Sequence, residues 1–233
     1  MSEPRLYLAL ARASDIKTSA LRFLDGPERQ RIRKMQSQQR RDEFAGGRAL
    51  AKHLLERVTG RPPSSHVIRL AESGRPGCEP GLDLSIAHSA GLLACAVARE
   101  ATVGVDIERP EPGRNTERIS RAYFTSEEAD WLAGEPAESF YRLWVLKEAW
   151  LKARGSGLAG GLDRLSVRFD GAHIDARIDG AEAGTLLLFE WQDVPIGLAA
   201  GSTDSAPAVL EWSGERAALE HTDLRPTGWT VAG

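Results

Sequence analysis

Apolar residues recur along this chain in two distinct rhythms. Leu6 to Leu10 alternates weakly and predicts a short first strand. Asp25-Gly26-Pro27 marks a turn, and Pro27 suits the first turn of a helix. From Glu28 to about Val58 the spacing is helical. Phe44, Leu50, Leu54 and Leu55 form its apolar side, and Thr59-Gly60 before Pro62-Pro63 ends it. Gly46-Gly47 inside that helix costs about 1 kcal/mol each relative to alanine, so the pair marks a close approach by another backbone or by a ligand. Ser73-Gly74-Arg75-Pro76-Gly77 reads as a loop.

Leu82 to Ile86 and Leu92 to Val97 predict a hairpin with His88 and Ser89 at its turn, and Val103 to Ile107 predicts another strand, ended by Pro110 and Pro112. Helices follow over Arg114 to Tyr123, after a cap at Thr125 or Ser126, and over Phe140 to Arg154. Leu165 to Phe169, Leu186 to Trp191 and Ile196 to Ala200 predict a closing sheet. The polar tail beyond Gly201, with Trp212 and Trp229, receives no role. A long helix followed by strands thus occurs twice. The expectation is an α+β fold of two similar halves with mainly antiparallel sheets, divided into residues 1–100 and 101–233.

At 233 residues the chain is long enough for one large core or two small ones. A 42% hydrophobic and 27% charged composition is that of an ordinary water-soluble domain. The net charge of −3 gives no argument for nucleic acid or membrane as a partner. Charge is uneven, however. Arg29, Arg31, Arg33, Lys34, Arg40, Arg41, Arg48 and Lys52 lie close together in sequence, either as a solvated helix face or as a docking surface for an anion or an acidic partner. Cys78 and Cys95 have no metal-ligand or disulfide-framework spacing. Met1-Ser2-Glu3-Pro4 lacks the marks of a signal peptide, and no apolar run is long enough to span a bilayer, so the expected compartment is the cytoplasm.

Two stretches carry the chemistry. In Val103-Gly104-Val105-Asp106-Ile107-Glu108, alternation puts Gly104, Asp106 and Glu108 on one face of a strand. Two positions advance about 6–7 Å, so both carboxylates can reach one ion, with room for a ligand over Gly104. In Trp144-Val145-Leu146-Lys147-Glu148-Ala149-Trp150-Leu151-Lys152, Glu148 and Lys152 share a helix face about 6 Å apart. That pair is either a surface ion pair or a functional couple. Trp144 on the same face favours the second, while Lys147 points elsewhere and reads as peripheral. Glu148 can complete a cation site or act as a general base, and Lys152 can neutralise a phosphate oxygen. Mg²⁺ prefers such oxygen donors together with substrate phosphates. His88, Ser89 and the backbone beside Gly91 can cradle a phosphate, and Arg75 can supply a further cation. There is no HExxH, CxxC, nucleophile elbow or Walker loop, and no GxGxxG after a strand.

These residues resemble the surfactin-synthetase type of 4'-phosphopantetheinyl transferase, in the holo-[acyl-carrier-protein] synthase superfamily. The resemblance rests on five marks in order: Gly74-Arg75-Pro76, Ala87-His88-Ser89, Val103 to Glu108, Phe124-Thr125-Ser126-Glu127-Glu128, and Trp144 to Lys152 closed by Gly155 and Gly157. It covers about residues 25–200. It implies a pseudo-dimer of two α+β halves with the site at their junction. It also implies Mg²⁺-dependent transfer of the phosphopantetheine arm of coenzyme A to a serine of an apo acyl or peptidyl carrier protein, by a monomer, with release of adenosine 3',5'-bisphosphate. By the same resemblance Asp106, Glu108 and Glu148 hold Mg²⁺, and Glu148 draws the serine proton. Lys152 and His88 contact the pyrophosphate, helped by Ser89, while Arg75, Arg41 and Arg48 meet the 3'-phosphate and adenosine end. Ala87 stands where the family often has serine, which removes one hydroxyl donor. A non-catalytic module that binds coenzyme A or a carrier protein on the same scaffold is the alternative reading.

Overall fold

The computed structural model describes residues 4–71, 74–155, 157, 161–179, 181–201 and 206–230. Ser73 of the loop noted above lies outside these. The chain forms two compact units. One runs to Ala101 and takes in a later stretch ending at Asp223, and the other starts at Thr102 and resumes at Leu224. Both mix helices with mainly antiparallel sheet, as the hydrophobic rhythm predicts.

The first unit contains β1 (Leu6–Arg12), α1 (Ala13–Ala20), α2 (Gly26–Arg33), α3 (Gln38–Thr59), the short pair β2 (Arg69–Leu70) and β3 (Pro76–Gly77), β4 (Leu82–Ser89) and β5 (Leu92–Arg99). The second contains β6 (Val103–Ile107), α4 (Thr116–Tyr123), α5 (Ser126–Leu132), α6 (Ala137–Arg154), β7 (Leu165–Asp170), β8 (His173–Ile178), β9 (Ala181–Glu182), β10 (Thr185–Trp191) and β11 (Val194–Ala200). The tail then gives β12 (Ala208–Ser213) and β13 (Ala218–His221) to the first unit and β14 (Gly228–Trp229) to the second. The division expected from sequence puts all of residues 101–233 in the second half. Instead β12 lies parallel to β1, with Ala9 opposite Leu210, and extends the first sheet to the order β13-β12-β1-β5-β4. Trp212 and Leu210 are buried in that core. The apolar positions of β12 are too few and too short to announce this from sequence.

The helix expected over residues 28–58 is two helices. Asp25 caps α2 in a capping box with Glu28, and Ser37 restarts the chain as the N-cap of α3 by accepting from the Arg40 amide. Residues 34–37 include no glycine or proline, so the hydrophobic rhythm runs through the break unmarked. Gly60, at φ 75°, closes α3 as foreseen. The β4–β5 hairpin turns at Ala90-Gly91, both in the left-handed region, so His88 and Ser89 are the last strand residues rather than the turn.

The second sheet has the order β6-β11-β10-β14-β8-β7, and only β14 and β8 run parallel. Helix α6 packs across β6 and β11. Gly104 on β6 and Gly197 on β11 explain how closely. A Cβ on Gly104 would collide with the Ala149 carbonyl and the Ala153 amide, and one on Gly197 with the backbone at Val145 and Leu146. The space that sequence reading reserved for a ligand over Gly104 is filled by the helix itself. Among the described residues no helix is long and apolar enough to cross a membrane.

Candidate active site

This close helix–strand contact builds the site. Asp106, two residues past Gly104, is buried, and its Oδ1 accepts from Lys152 Nζ at 2.6 Å. The same ammonium donates to the Val105 carbonyl at 3.1 Å. Lys152 therefore stays on the strand end instead of forming only the expected i,i+4 pair with Glu148. Glu148, one turn earlier on α6, is half-buried. Burial raises its carboxyl above the ordinary range, as do the charges of Asp106 and then Glu108, and Lys152 only partly offsets this. Glu108 is raised for the same first reason and by Asp106, against the opposing pull of Arg114 and Lys152. The three carboxylates thus act on one another electrostatically, across one strand and one helix.

Among the described residues no three acidic, thiol or imidazole groups already form a ready-made metal cage. The donor set nevertheless fits Mg²⁺. That ion keeps several waters and usually takes only one or two protein carboxylates beside substrate phosphates. A cluster of three mutually repelling acids with one lysine offers this kind of oxygen-rich, cation-deficient setting.

Trp144 meets protein rather than solvent. It stacks at 5.7 Å on Phe140 and lies 6.2 Å from Phe124, and the Arg114 guanidinium lies 5.2 Å over its ring. Lys147 is fully buried, not peripheral. Its Nζ lies 2.8 Å from Glu128 Oε2, donates to the Leu162 carbonyl at 2.9 Å, and also donates to the Leu165 carbonyl. Glu128 in turn accepts from the Thr125 and Val167 amides. The Phe-Thr-x-x-Glu and Lys-Glu marks are thus two ends of one internal ion pair that fixes α5, α6 and β7. Burial lowers the affinity of Lys147 for its proton, and Glu128 opposes this.

In the first unit, His88 Nδ1 lies 3.1 Å from Glu43 Oε2. Glu43 is buried and also accepts from the Gly91 amide at 2.8 Å and from Gln39 at 2.9 Å. The His88 ring is half-exposed and held by its Nδ1, which leaves Nε2 outside that contact. Glu43 escaped sequence reading because nothing in a helical acid announces a partner on a distant strand. Arg75 pairs with Asp83, and Ser89 is half-buried.

Arg48 and Arg41, the other two residues expected to meet the cofactor, make contacts within the first unit. Arg48 is buried, and its Nε lies 3.2 Å from Glu28 Oε1, in an ion pair that Lys52 shares at 3.6 Å. Arg41 donates to the carbonyls of Met35 and Gln36 and ties off the break between α2 and α3. Both guanidiniums thus have partners within the fold. Of the basic run, Arg48 and Lys52 are buried, while Arg29, Arg31, Arg33, Lys34 and Arg40 are exposed.

Residues 102–199 match the family profile described as the 4'-phosphopantetheinyl transferase superfamily, and residues 27–98 match the 4'-phosphopantetheinyl transferase N-terminal domain. The chain belongs to the 4'-phosphopantetheinyl transferase superfamily. Within it, the chain is 30% identical over 145 residues to the 4'-phosphopantetheinyl transferase HetI of a Nostoc species, which covers 58% of this chain and 61% of that protein. It is 29% identical over 162 residues to Sfp of Bacillus subtilis (67% and 70%) and 34% identical over 122 residues to AcpT of Escherichia coli (50% and 59%). The chain thus spans less than two thirds of the length of HetI and of AcpT. The boundary between the two profiles falls next to the boundary between the two compact units.

Proposed function

We propose that this protein transfers the 4'-phosphopantetheine arm of coenzyme A to a serine of an apo acyl or peptidyl carrier protein, in the presence of Mg²⁺, and releases adenosine 3',5'-bisphosphate. The observation that carries this reading is the junction of β6 and α6. There Lys152 lies 2.6 Å from Asp106, and burial and then the charge of Asp106 raise the carboxyls of both Glu108 and Glu148.

Asp106, Glu108 and Glu148 are assigned to hold Mg²⁺. When bound, the ion supplies charge neutralisation for the diphosphate and for the departing phosphate. Glu148 is assigned as the base, since burial and neighbouring acids bring its proton affinity towards the working range. The serine Oγ forms a bond to the phosphorus that carries the pantetheine arm. The bond from that phosphorus to the bridging oxygen breaks, the leaving bisphosphate takes its electron pair, and the serine proton passes to Glu148. Lys152 orients the diphosphate by charge, and little covalent help is required. Arg75, His88 and Ser89 are assigned to the anionic groups of coenzyme A. Of these, His88 has the best-defined geometry, because Glu43 fixes its ring. The proposed working form is a monomer. The proposed compartment is the cytoplasm, which suits two unbridged thiols.

The test is mass spectrometry of apo carrier domains incubated with the protein, coenzyme A and Mg²⁺. A gain equal to the arm is expected, and Asp106→Ala and Glu148→Ala should each lower the rate by about a hundredfold or more without unfolding the chain. No gain on any carrier in a fatty-acid, polyketide and nonribosomal-peptide panel, with coenzyme A still bound, would favour a binding module instead.

A further inference from the structure

The loop from Glu108 to Asn115 leads from the acidic strand end into α4, and two anchors hold it against α6. The Glu111 amide donates to the Tyr141 hydroxyl oxygen at 2.9 Å, and that hydroxyl donates back to the Glu111 carbonyl at 3.2 Å. Next, Arg114 lays its guanidinium over three rings of the same helix, at 5.2 Å from Trp144, 5.8 Å from Tyr141 and 5.9 Å from Phe140. From there Arg114 Nη1 donates to Glu108 Oε1 at 3.2 Å. Tyr141, Trp144 and Glu148 are spaced three and four residues apart on α6 and so share one side of it.

The geometry points to Arg114 as a positioning residue that fixes the Glu108 carboxylate for a divalent cation, held in turn by the aromatic side of the helix that carries Glu148. This rests on the proposed cation-holding role of the acids. A planar guanidinium can stack on the rings and keep a fixed fork towards a carboxylate at once, and an ammonium cannot. Outer partners of this kind orient a ligand, and their loss typically weakens metal affinity by about 10–100-fold. A mere neutralising charge has the opposite consequence, because removing a cation next to the site would strengthen the attraction for another. The sign of the effect therefore decides the role.

The experiment is titration of Mn²⁺ into the full chain without coenzyme A, with the free ion followed by electron paramagnetic resonance and thermal melting run in parallel. Wild type is expected to take up Mn²⁺, and Asp106→Asn is expected to lose it. Arg114→Gln should weaken uptake by about tenfold, and Arg114→Lys should behave like the glutamine variant despite its charge. Uptake by Arg114→Gln equal to or tighter than wild type overturns the inference while leaving the cation site standing. Wild-type affinity in Arg114→Lys does the same, and carries the test alone if the glutamine variant does not fold. No uptake by wild type overturns the cation reading, and this inference with it.

Discussion

Each unit sets one long helix on a mainly antiparallel sheet, yet the small residues that permit the contact stand on opposite partners. In the first unit the glycines are in the helix. A Cβ on Gly46 would meet Leu93 Cδ1 at 2.8 Å and Ile16 Cγ2 at 3.0 Å, and one on Gly47 would meet Ile86 Cγ2 at 3.1 Å. Those neighbours are side-chain methyls rather than main chain, so a rotamer change can relieve the contact. In the second unit the glycines are in the strands, and the helix backbone fills the gap at Gly104 and Gly197. Strand and helix main chains there come closer than side chains would allow. That closeness lets Lys152 bridge from α6 to both the side chain of Asp106 and the carbonyl of Val105. The first unit buries its helix for stability. The second uses the same contact to bring acids and a lysine together.

The sharpest way to break this comparison is to add one methyl group at each site. Gly104→Ala or Gly197→Ala should cost about 4 kcal/mol or more, or prevent folding, because main chain cannot step aside. Gly46→Ala and Gly47→Ala should each change stability by less than about 1 kcal/mol, since the gain in helix propensity offsets a yielding contact. Urea unfolding of the four variants measures this, and similar costs in both units would end the distinction.

The buried ion pairs extend the contrast. Among the described residues Glu128 has Lys147 as its one cationic partner in an ion pair, whereas Glu28 has both Arg48 and Lys52. Lys147→Met should therefore cost about 3–5 kcal/mol, because a carboxylate is left buried and uncompensated. Arg48→Met, which leaves Lys52 in place, should cost about 2 kcal/mol. Adding Glu128→Gln to Lys147→Met should recover part of the loss.

A smaller effect runs the other way. Glu148 and Glu108 bind protons more tightly in the fold than in the unfolded chain, first through burial and then through Asp106. Their contribution is fully present below the ordinary carboxylate range and is lost as pH rises through the raised values. Glu148→Gln should flatten that decline in melts run from about pH 4 to 8. It should gain about 1 kcal/mol at neutral pH while losing transfer activity. A stability loss at neutral pH would show that the acid cluster is not strained. The smallest effect concerns the hairpin that carries His88. Ala90 adopts φ 47°, which asparagine tolerates better, so Ala90→Asn should stabilise the first unit by about 0.5–1 kcal/mol on melting.

Much of this was legible because it is local. Alternation in Val103 to Ile107, the Thr125 cap, the glycine stop after Arg154 and the shared face of Glu148 and Lys152 all follow from relations within four residues. What escaped involves partners far apart in sequence. Glu43 with His88 lies on a helix and a strand 45 positions apart, and Arg114 reaches aromatic rings about thirty residues on. The break between α2 and α3 was hidden for another reason, since Ser37 caps without any breaker beside it.

By itself the sequence determined the rhythm of helices and strands, the α+β class and the residue types that can hold a cation and a diphosphate, because these are written in short-range periodicity and side-chain chemistry. Only the tertiary structure decided which charges serve the fold and which the site. Arg48 and Lys147 turn inward, Lys152 is drawn to Asp106, and the tail returns as β12 beside β1. A charge commits to a partner only once packing has excluded water around it, and no spacing along the chain encodes that exclusion.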